Sequence, residues 1–268
     1  MPSLTPVNIC PKSKVRGVLD DSDYMAGESG DNEGRTRNSK TEGLWTGSAG
    51  RRAMIDLDRQ IEYWNREGPQ KSFGHPLNFE RLKQWLSPDS VILDLGCGYG
   101  RALGLLSEHG YHNLIGLDPA PAMVAMARER FPSVSFEELD SPQLPLEAAS
   151  VDATLLFSVL TCIPTNEGQR AILEEVGRVL KPGGLVYISD LWLQTDERNM
   201  ERYARDKSKY GTYGVFELPE GVTVRHHDPR WIEALTRDFD TLALDQIEVV
   251  TMNGNPARAF QLFGSKRN

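Results

Sequence analysis

The segment Val91-Ile92-Leu93-Asp94-Leu95-Gly96-Cys97-Gly98-Tyr99-Gly100-Arg101 sets one carboxylate and three glycines in a spacing suited to holding a nucleoside. A short apolar run ends in an acid, a glycine cluster follows, and a helical pattern comes next. That order predicts a buried parallel strand, a tight turn and a helix whose N-terminus faces a ligand. Gly96, Gly98 and Gly100 remove Cβ atoms where the backbone must approach something closely. A dinucleotide fingerprint, G-x-G-x-x-G, needs its third glycine at position 101, where Arg101 stands. The departure points away from a pyrophosphate-bearing ligand.

Three further features stand at the ends of apolar runs, where open α/β sheets bind ligands. Asp118 follows Gly96 by 22 positions, and its carboxylate can accept from two ribose hydroxyls. Asp140-Ser141 follows a third run and can accept from an exocyclic amine. Phe157-Ser158-Val159-Leu160 ends a fourth. Each has a plainer explanation alone: a glycine loop is often a turn, and Asp118 before Pro119 can be a helix cap. Their common order and register select a nucleoside, and S-adenosylmethionine (SAM) is the commonest one without a pyrophosphate.

The elements that position these residues alternate as in an α/β sheet. Strands are expected at Val91–Leu95, Leu114–Leu117, Val134–Phe136, Val151–Phe157 and Leu185–Asp190. Helices are expected at Arg101–His109, Pro121–Phe131 and Gln169–Leu180, with a turn at Lys181-Pro182-Gly183-Gly184. Upstream, Met1 to about Gly50 has few large apolar side chains and reads as a disordered tail with one docking point at Leu44-Trp45. Residues 51–88 form a helical cap, with one helix over Ala53–Arg66 and another carrying Phe79, Leu82, Trp85 and Leu86. Downstream, periodicity weakens over about 191–225, read as a lid insertion. A helix over Pro229–Asp238 follows. Strands at about Thr241–Thr251 and Ala257–Gly264 flank Asn253-Gly254-Asn255-Pro256, a hairpin turn. The domain of interest is therefore residues 89–268: a Rossmann-like, mostly parallel sheet with a C-terminal antiparallel hairpin.

Residues from about Ser90 to Asp190 resemble the class I SAM-dependent methyltransferases, small-molecule branch. The resemblance rests on the glycine segment, Gly116-Leu117-Asp118-Pro119 with Met123, Val151-Asp152-Ala153, and Leu173-Glu174-Glu175-Val176-Gly177-Arg178-Val179-Leu180-Lys181-Pro182-Gly183-Gly184. It implies seven strands with the last inserted antiparallel. It also implies SAM as methyl donor, S-adenosylhomocysteine (SAH) as product and no metal. Gly96, Cys97 and Gly98, with Gly100 and Arg101 beside them, would line the methionine and ribose portion. Asp94 would lie near the ammonium. Asp118 would hold the ribose, Pro119 and Met123 would pack on the adenine, and Asp140 and Ser141 would meet its edge. Phe157, Ser158 and Val159 would lie beside the sulfonium.

Candidates for acting on the acceptor lie outside this core. His226, His227 or His75 can serve as a general base, or can simply cap or pack. Tyr203, Tyr210 and Tyr213 can line an acceptor pocket or pack the lid. Tyr63 and Trp64 can close over SAM or belong to the core. Arg198, Asn199 and Arg202 can bind an acceptor carboxylate or form a solvated helix face. Thr161 stands where many oxygen-methylating relatives carry a histidine, which weakens a base at that position.

Composition narrows the class. The 38 Asp and Glu exceed the 30 Lys and Arg, a net charge of −8 that gives no general attraction to nucleic acid. Cys10, Cys97 and Cys162 form no C-x-x-C pair, so neither a zinc site nor a disulfide framework is expected, and a reducing cytoplasm is the simplest setting. No apolar run approaches a membrane span. The expected function is methyl transfer to a small molecule. Alternatives are a tRNA or protein methyltransferase, an enzyme of intramolecular displacement on SAM, and a catalytically silent SAM-binding partner.

Overall fold

The computed structural model describes residues 60–267. The expectations for the tail, for Leu44-Trp45 and for the start of the first helix lie outside them. The described part of helix α1 covers residues 60–67, and the short α2 covers Phe79–Leu82. The chain then alternates through β1 (Val91–Leu95), α3 (Arg101–Glu108), β2 (Asn113–Asp118), α4 (Pro121–Arg130), β3 (Ser135–Glu138), β4 (Val151–Phe157), α5 (Asn166–Val179) and β5 (Leu180–Leu191). An insertion carries α6 (Glu197–Tyr210), β6 (Val215–Glu217) and β7 (Thr223–Arg225). The chain closes with α7 (Pro229–Leu235), β8 (Phe239–Val250) and β9 (Pro256–Lys266).

The seven-stranded sheet has the order β3-β2-β1-β4-β5-β9-β8. β1 pairs in parallel with both β2 and β4. Successive connections therefore leave in opposite directions from β1, which opens a crevice at the carboxyl ends of β1 and β4. β9 pairs antiparallel with both β5 and β8. Only β9 opposes the rest, since β8 runs in the direction of β5. Side chains alternate between two cores on opposite faces. Leu93, Leu156, Val186, Ile188 and Phe260 pack on one face. Ile92, Leu155, Tyr187 and Phe263 pack on the other. Burial on both faces is why these strands read as continuous apolar runs.

Several boundaries differ from the sequence reading: β5 already begins at Leu180, so the Lys181-Pro182-Gly183-Gly184 segment expected as a turn falls within its span. α5 starts at Asn166 rather than Gln169, because the Thr165 hydroxyl accepts the Gly168 N–H at 3.0 Å and caps the helix earlier. The helix carrying Phe79 ends at Leu82, and a turn brings Trp85 and Leu86 to the core. The weakly periodic insertion contains a 14-residue helix, α6. The Asp196 carboxylate accepts from the Asn199 N–H at its start, and Gly211, at φ 72°, ends it. Among the described residues no helix is long and apolar enough to cross a membrane.

Candidate active site

The β1–α3 turn is built around Asp118. The N–H groups of Gly96 and Cys97 donate to the Leu117 carbonyl at 2.7 and 3.1 Å. The Gly98 N–H donates to Asp118 Oδ2 at 2.8 Å, and the Ala120 N–H donates to Oδ1 at 2.9 Å. Reaching Asp118 requires left-handed backbone at Gly96 and Gly98, φ 72° and 55°. A Cβ at Gly96 would lie 2.8 Å from Val159 Cγ2, so strand β4's exit loop packs directly on the turn. The carboxylate of Asp118 keeps lone pairs for further donors, because each oxygen takes only one backbone bond.

These residues wall a cavity of about 310 Å³ at the carboxyl ends of β1, β2 and β4. Asp94 stands at its base. The side chain is sealed from solvent, yet its Oδ1 has no hydrogen-bond partner. Burial pushes its carboxyl up to about 7; Arg101 pulls it down, and Asp118 pushes it further up. Burial likewise pushes Asp118 up to about 6, against the Ala120 and Gly98 N–H groups. An unpartnered buried carboxylate oxygen is costly unless a cation or donor meets it. Asp94 therefore fits an ammonium, and Asp118 fits vicinal hydroxyls. The chemistry of this donor set suits SAM.

The rest of the wall continues this frame. Pro119, Met123, Asp140 and Ser141 follow Asp118 around the cavity, and Phe157, Ser158 and Val159 close it from β4. Ser158 holds a left-handed φ of 56°, unusual for a residue with a Cβ. Its N–H donates to the Ser189 carbonyl at 2.8 Å, and its own carbonyl accepts the Cys162 thiol at 3.2 Å. Those two bonds fix a backbone that would otherwise relax. Trp64, Phe73 and His75 form another side of the cavity, and α6 contributes Arg198, Asn199 and Arg202.

The expected cofactor residues Asp94, Gly96, Cys97, Gly98, Arg101, Asp118, Pro119, Met123, Asp140, Ser141, Phe157, Ser158 and Val159 thus share one wall system, with His226. Six other candidate residues stand off it. Gly100 caps α3, where a Cβ would strike the Phe136 ring at 2.7 Å. Tyr63 packs with Tyr203 and Phe216 in the insertion's own core, while its neighbour Trp64 faces the cavity. Tyr203 lies fully buried behind His226. Tyr213 packs edge-on against Tyr203, its ring centroid 5.2 Å away. His227 is fully buried, with Nε2 3.5 Å from Asp190 Oδ1. Tyr210 donates to Glu217, away from the site.

Two cavity histidines are neutral near pH 7. His75 bonds Ser189 Oγ through Nδ1 at 2.8 Å, and burial pulls it down to about 4. Burial, then the charge of Arg202, holds His226 well below its ordinary range. His226 Nδ1 meets the Tyr203 hydroxyl at 2.5 Å. The Tyr203 hydroxyl also accepts from the Gln194 N–H at 3.2 Å and lies 3.5 Å from Asn199 Oδ1. His226 thus reaches the cavity as a neutral ring held at Nδ1. Phe73 and Asn255 also line the site. Phe73 lies in a stretch with no periodicity, and Asn255 reads in sequence only as a turn residue.

Comparison with known proteins agrees with this geometry. Residues 92–184 match the family described as a methyltransferase domain. Over that stretch the chain is similar to a methyltransferase domain. A ubiquinone/menaquinone biosynthesis C-methyltransferase from Campylobacter jejuni is 33% identical over 113 residues, 40% of this chain and 47% of that protein. A tRNA (carboxymethyluridine(34)-5-O)-methyltransferase from Macaca fascicularis is 33% identical over 129 residues, 47% of this chain and 17% of that protein. The chain thus spans about half or less of the length of these two relatives. A crystal structure of a SAM-dependent methyltransferase from Methanosarcina mazei superposes with a TM-score of 0.66 at 24% identity, covering 70% of this chain and 97% of that one. At that identity the match speaks to the fold.

Proposed function

We propose that this protein transfers a methyl group from SAM to a small-molecule acceptor. The observation that carries the reading is Asp94: a sealed carboxylate with an unpartnered oxygen, opening on the cavity that Asp118 and the glycine turn frame. When bound, SAM supplies an activated methyl on a sulfonium, which needs only in-line attack by a nucleophile. Asp94 holds the ammonium and Asp118 the ribose hydroxyls. Pro119 and Met123 pack the adenine, while Asp140 and Ser141 meet its edge. The Phe157–Val159 backbone, fixed at Ser158, borders the reacting atoms. Trp64 and Phe73 exclude water from them.

The small-molecule reading is supported by the cavity being walled by α1, α6 and the β8–β9 turn as well as by the sheet. The net charge of −8 supports it too, as does likeness to the quinone-pathway C-methyltransferase. His226 and His75, both neutral near pH 7 and each held at Nδ1, border the space left for the acceptor. A cytoplasmic setting accords with the free thiols at Cys97 and Cys162.

Titration calorimetry of the full chain with SAH and with adenosine diphosphate tests the cofactor assignment. Saturable SAH binding with no competition from the diphosphate is expected. Preference for the diphosphate would overturn it.

A further inference from the structure

Helix α6 brings Arg198 and Arg202 to the cavity wall, and His226 joins them from the end of β7. Arg202 stacks on Phe216, its guanidinium carbon 3.8 Å from the ring centroid. One of its terminal nitrogens donates to Asn199 Oδ1. Its Nε is sealed without a partner, and it forms no ion pair among the described residues. Burial pulls its guanidinium below the ordinary arginine range, with Tyr203 and the charge of Asp196 acting the other way. Arg198 reaches from the same helix face one turn away and is fixed by Asn255 Oδ1 at 2.7 Å. The nearest carboxylate, Asp196, lies 3.9 Å from Arg198 Nε and is already engaged by the Asn199 N–H and Nδ2. The third group is His226, whose Nδ1 is held by Tyr203 and whose ring lines the cavity.

From this arrangement we infer that the acceptor carries a carboxylate, which docks on Arg202 and Arg198 beside His226. The inference rests on the methyltransferase reading of the cavity, and it names the chemistry of the second substrate. A planar two-oxygen anion matches the few donors left after Asn199 and Asn255 take theirs. A phosphate would bring more oxygens than this wall can satisfy. The stack on Phe216 holds the Arg202 plane fixed, so little side-chain freedom is lost on docking. The apolar side chains Leu218, Val224 and Met252 beside the cluster suit an apolar body on that carboxylate.

The test titrates benzoate and its neutral isostere benzamide into the full-length protein saturated with SAH, followed by ligand-observed NMR. Benzoate is expected to bind about tenfold or more tighter than benzamide. Arg202→Gln and Arg198→Gln are each expected to weaken benzoate by about fivefold or more, and Arg202→Lys by less. SAH affinity should stay within about twofold in every variant, which also reports that each one folds. Arg198 is half exposed, so Arg198→Gln decides the matter even if Arg202→Gln misfolds. Equal binding of benzoate and benzamide overturns the inference, as does benzoate affinity unchanged by Arg198→Gln. Inorganic phosphate displacing benzoate at lower concentration would overturn the carboxylate assignment. Should SAH fail to bind, the cofactor reading falls, and the same titrations on the free protein still decide the anion site.

Discussion

Asp94 should make ligand affinity and protein stability respond to pH with opposite signs. Its carboxyl titrates at about 7 in the free protein. An ammonium recognises only the ionised form, so binding weakens as pH falls through 7. The ionised fraction is about 0.9 at pH 8 and about 0.1 at pH 6 for a group of this pKa. SAH affinity should therefore drop about tenfold between those values, or about 1.4 kcal/mol. Asp118, at about 6, adds a factor of about two at the acid end.

Stability runs the other way. The folded pKa of Asp94 lies above the ordinary 3.8. Its contribution is therefore complete below 3.8 and is lost as pH rises through 7. The full loss corresponds to roughly 4 kcal/mol at pH 8, an upper bound for a sealed group. Asp94→Asn removes that penalty but leaves an amide donor unmet, which costs about 1–3 kcal/mol. The free variant should thus melt above the native chain at pH 8 by a few degrees, given about 2–4 °C per kcal/mol for a domain of this size. It should also bind SAH about 10- to 100-fold more weakly, with only the about twofold change due to Asp118 left between pH 6 and 8. Calorimetric titrations at both pH values, with thermal melts, provide the check. A native profile that is already flat, or an Asn variant that keeps the slope, refutes the assignment of the ammonium to Asp94.

Other expectations follow from single contacts. Asp118→Ala should weaken SAH by roughly 1.5–3 kcal/mol in a fluorescence titration, the scale of lost charged hydrogen bonds; unchanged affinity would remove its ribose role. Gly116→Ala puts a Cβ 2.4 Å from the Phe136 ring and should destabilise the fold by about 1–3 kcal/mol in urea melts; a cost near zero would show that β2 and β3 can separate there. Deleting Met1–Gly50 should leave SAH affinity within about twofold, because among the described residues the cavity lining from Gln60 to Ala257 already supplies Asp94, Asp118 and the glycine turn. Loss of binding in the truncated chain would assign that segment a part in the site.

The parallel half of the sheet is legible in the sequence because β1, β2 and β4 are buried on both faces, so each reads as an apolar run with its acid or turn at the ligand end. Helix α6 is not legible for a physical reason. Its buried positions are Asn199, Tyr203 and Asp206. They keep a helical spacing, but two are polar, and hydrophobic periodicity cannot register them. Neighbouring residues were the other blind spot. His226 and His227 are adjacent, yet the Trp192–His227 bridge and the bond from the His226 N–H to the Gly214 carbonyl set their register. One ring faces the cavity and the other the core. Tyr63 and Trp64 differ in the same way, because adjacent helical residues point about 100° apart. These choices depend on partners 12 or more residues away in the chain, which local pattern cannot supply.

Transfer of label from [methyl-³H]SAM tests the central claim most directly. The full-length protein is incubated with a cell extract divided into molecules below about 1 kDa, RNA and protein. The account predicts acid-stable label in the small-molecule fraction, retained on an anion exchanger, and its loss with Asp118→Ala. Label confined to RNA or protein, or no transfer in any fraction while SAH binds, would contradict it.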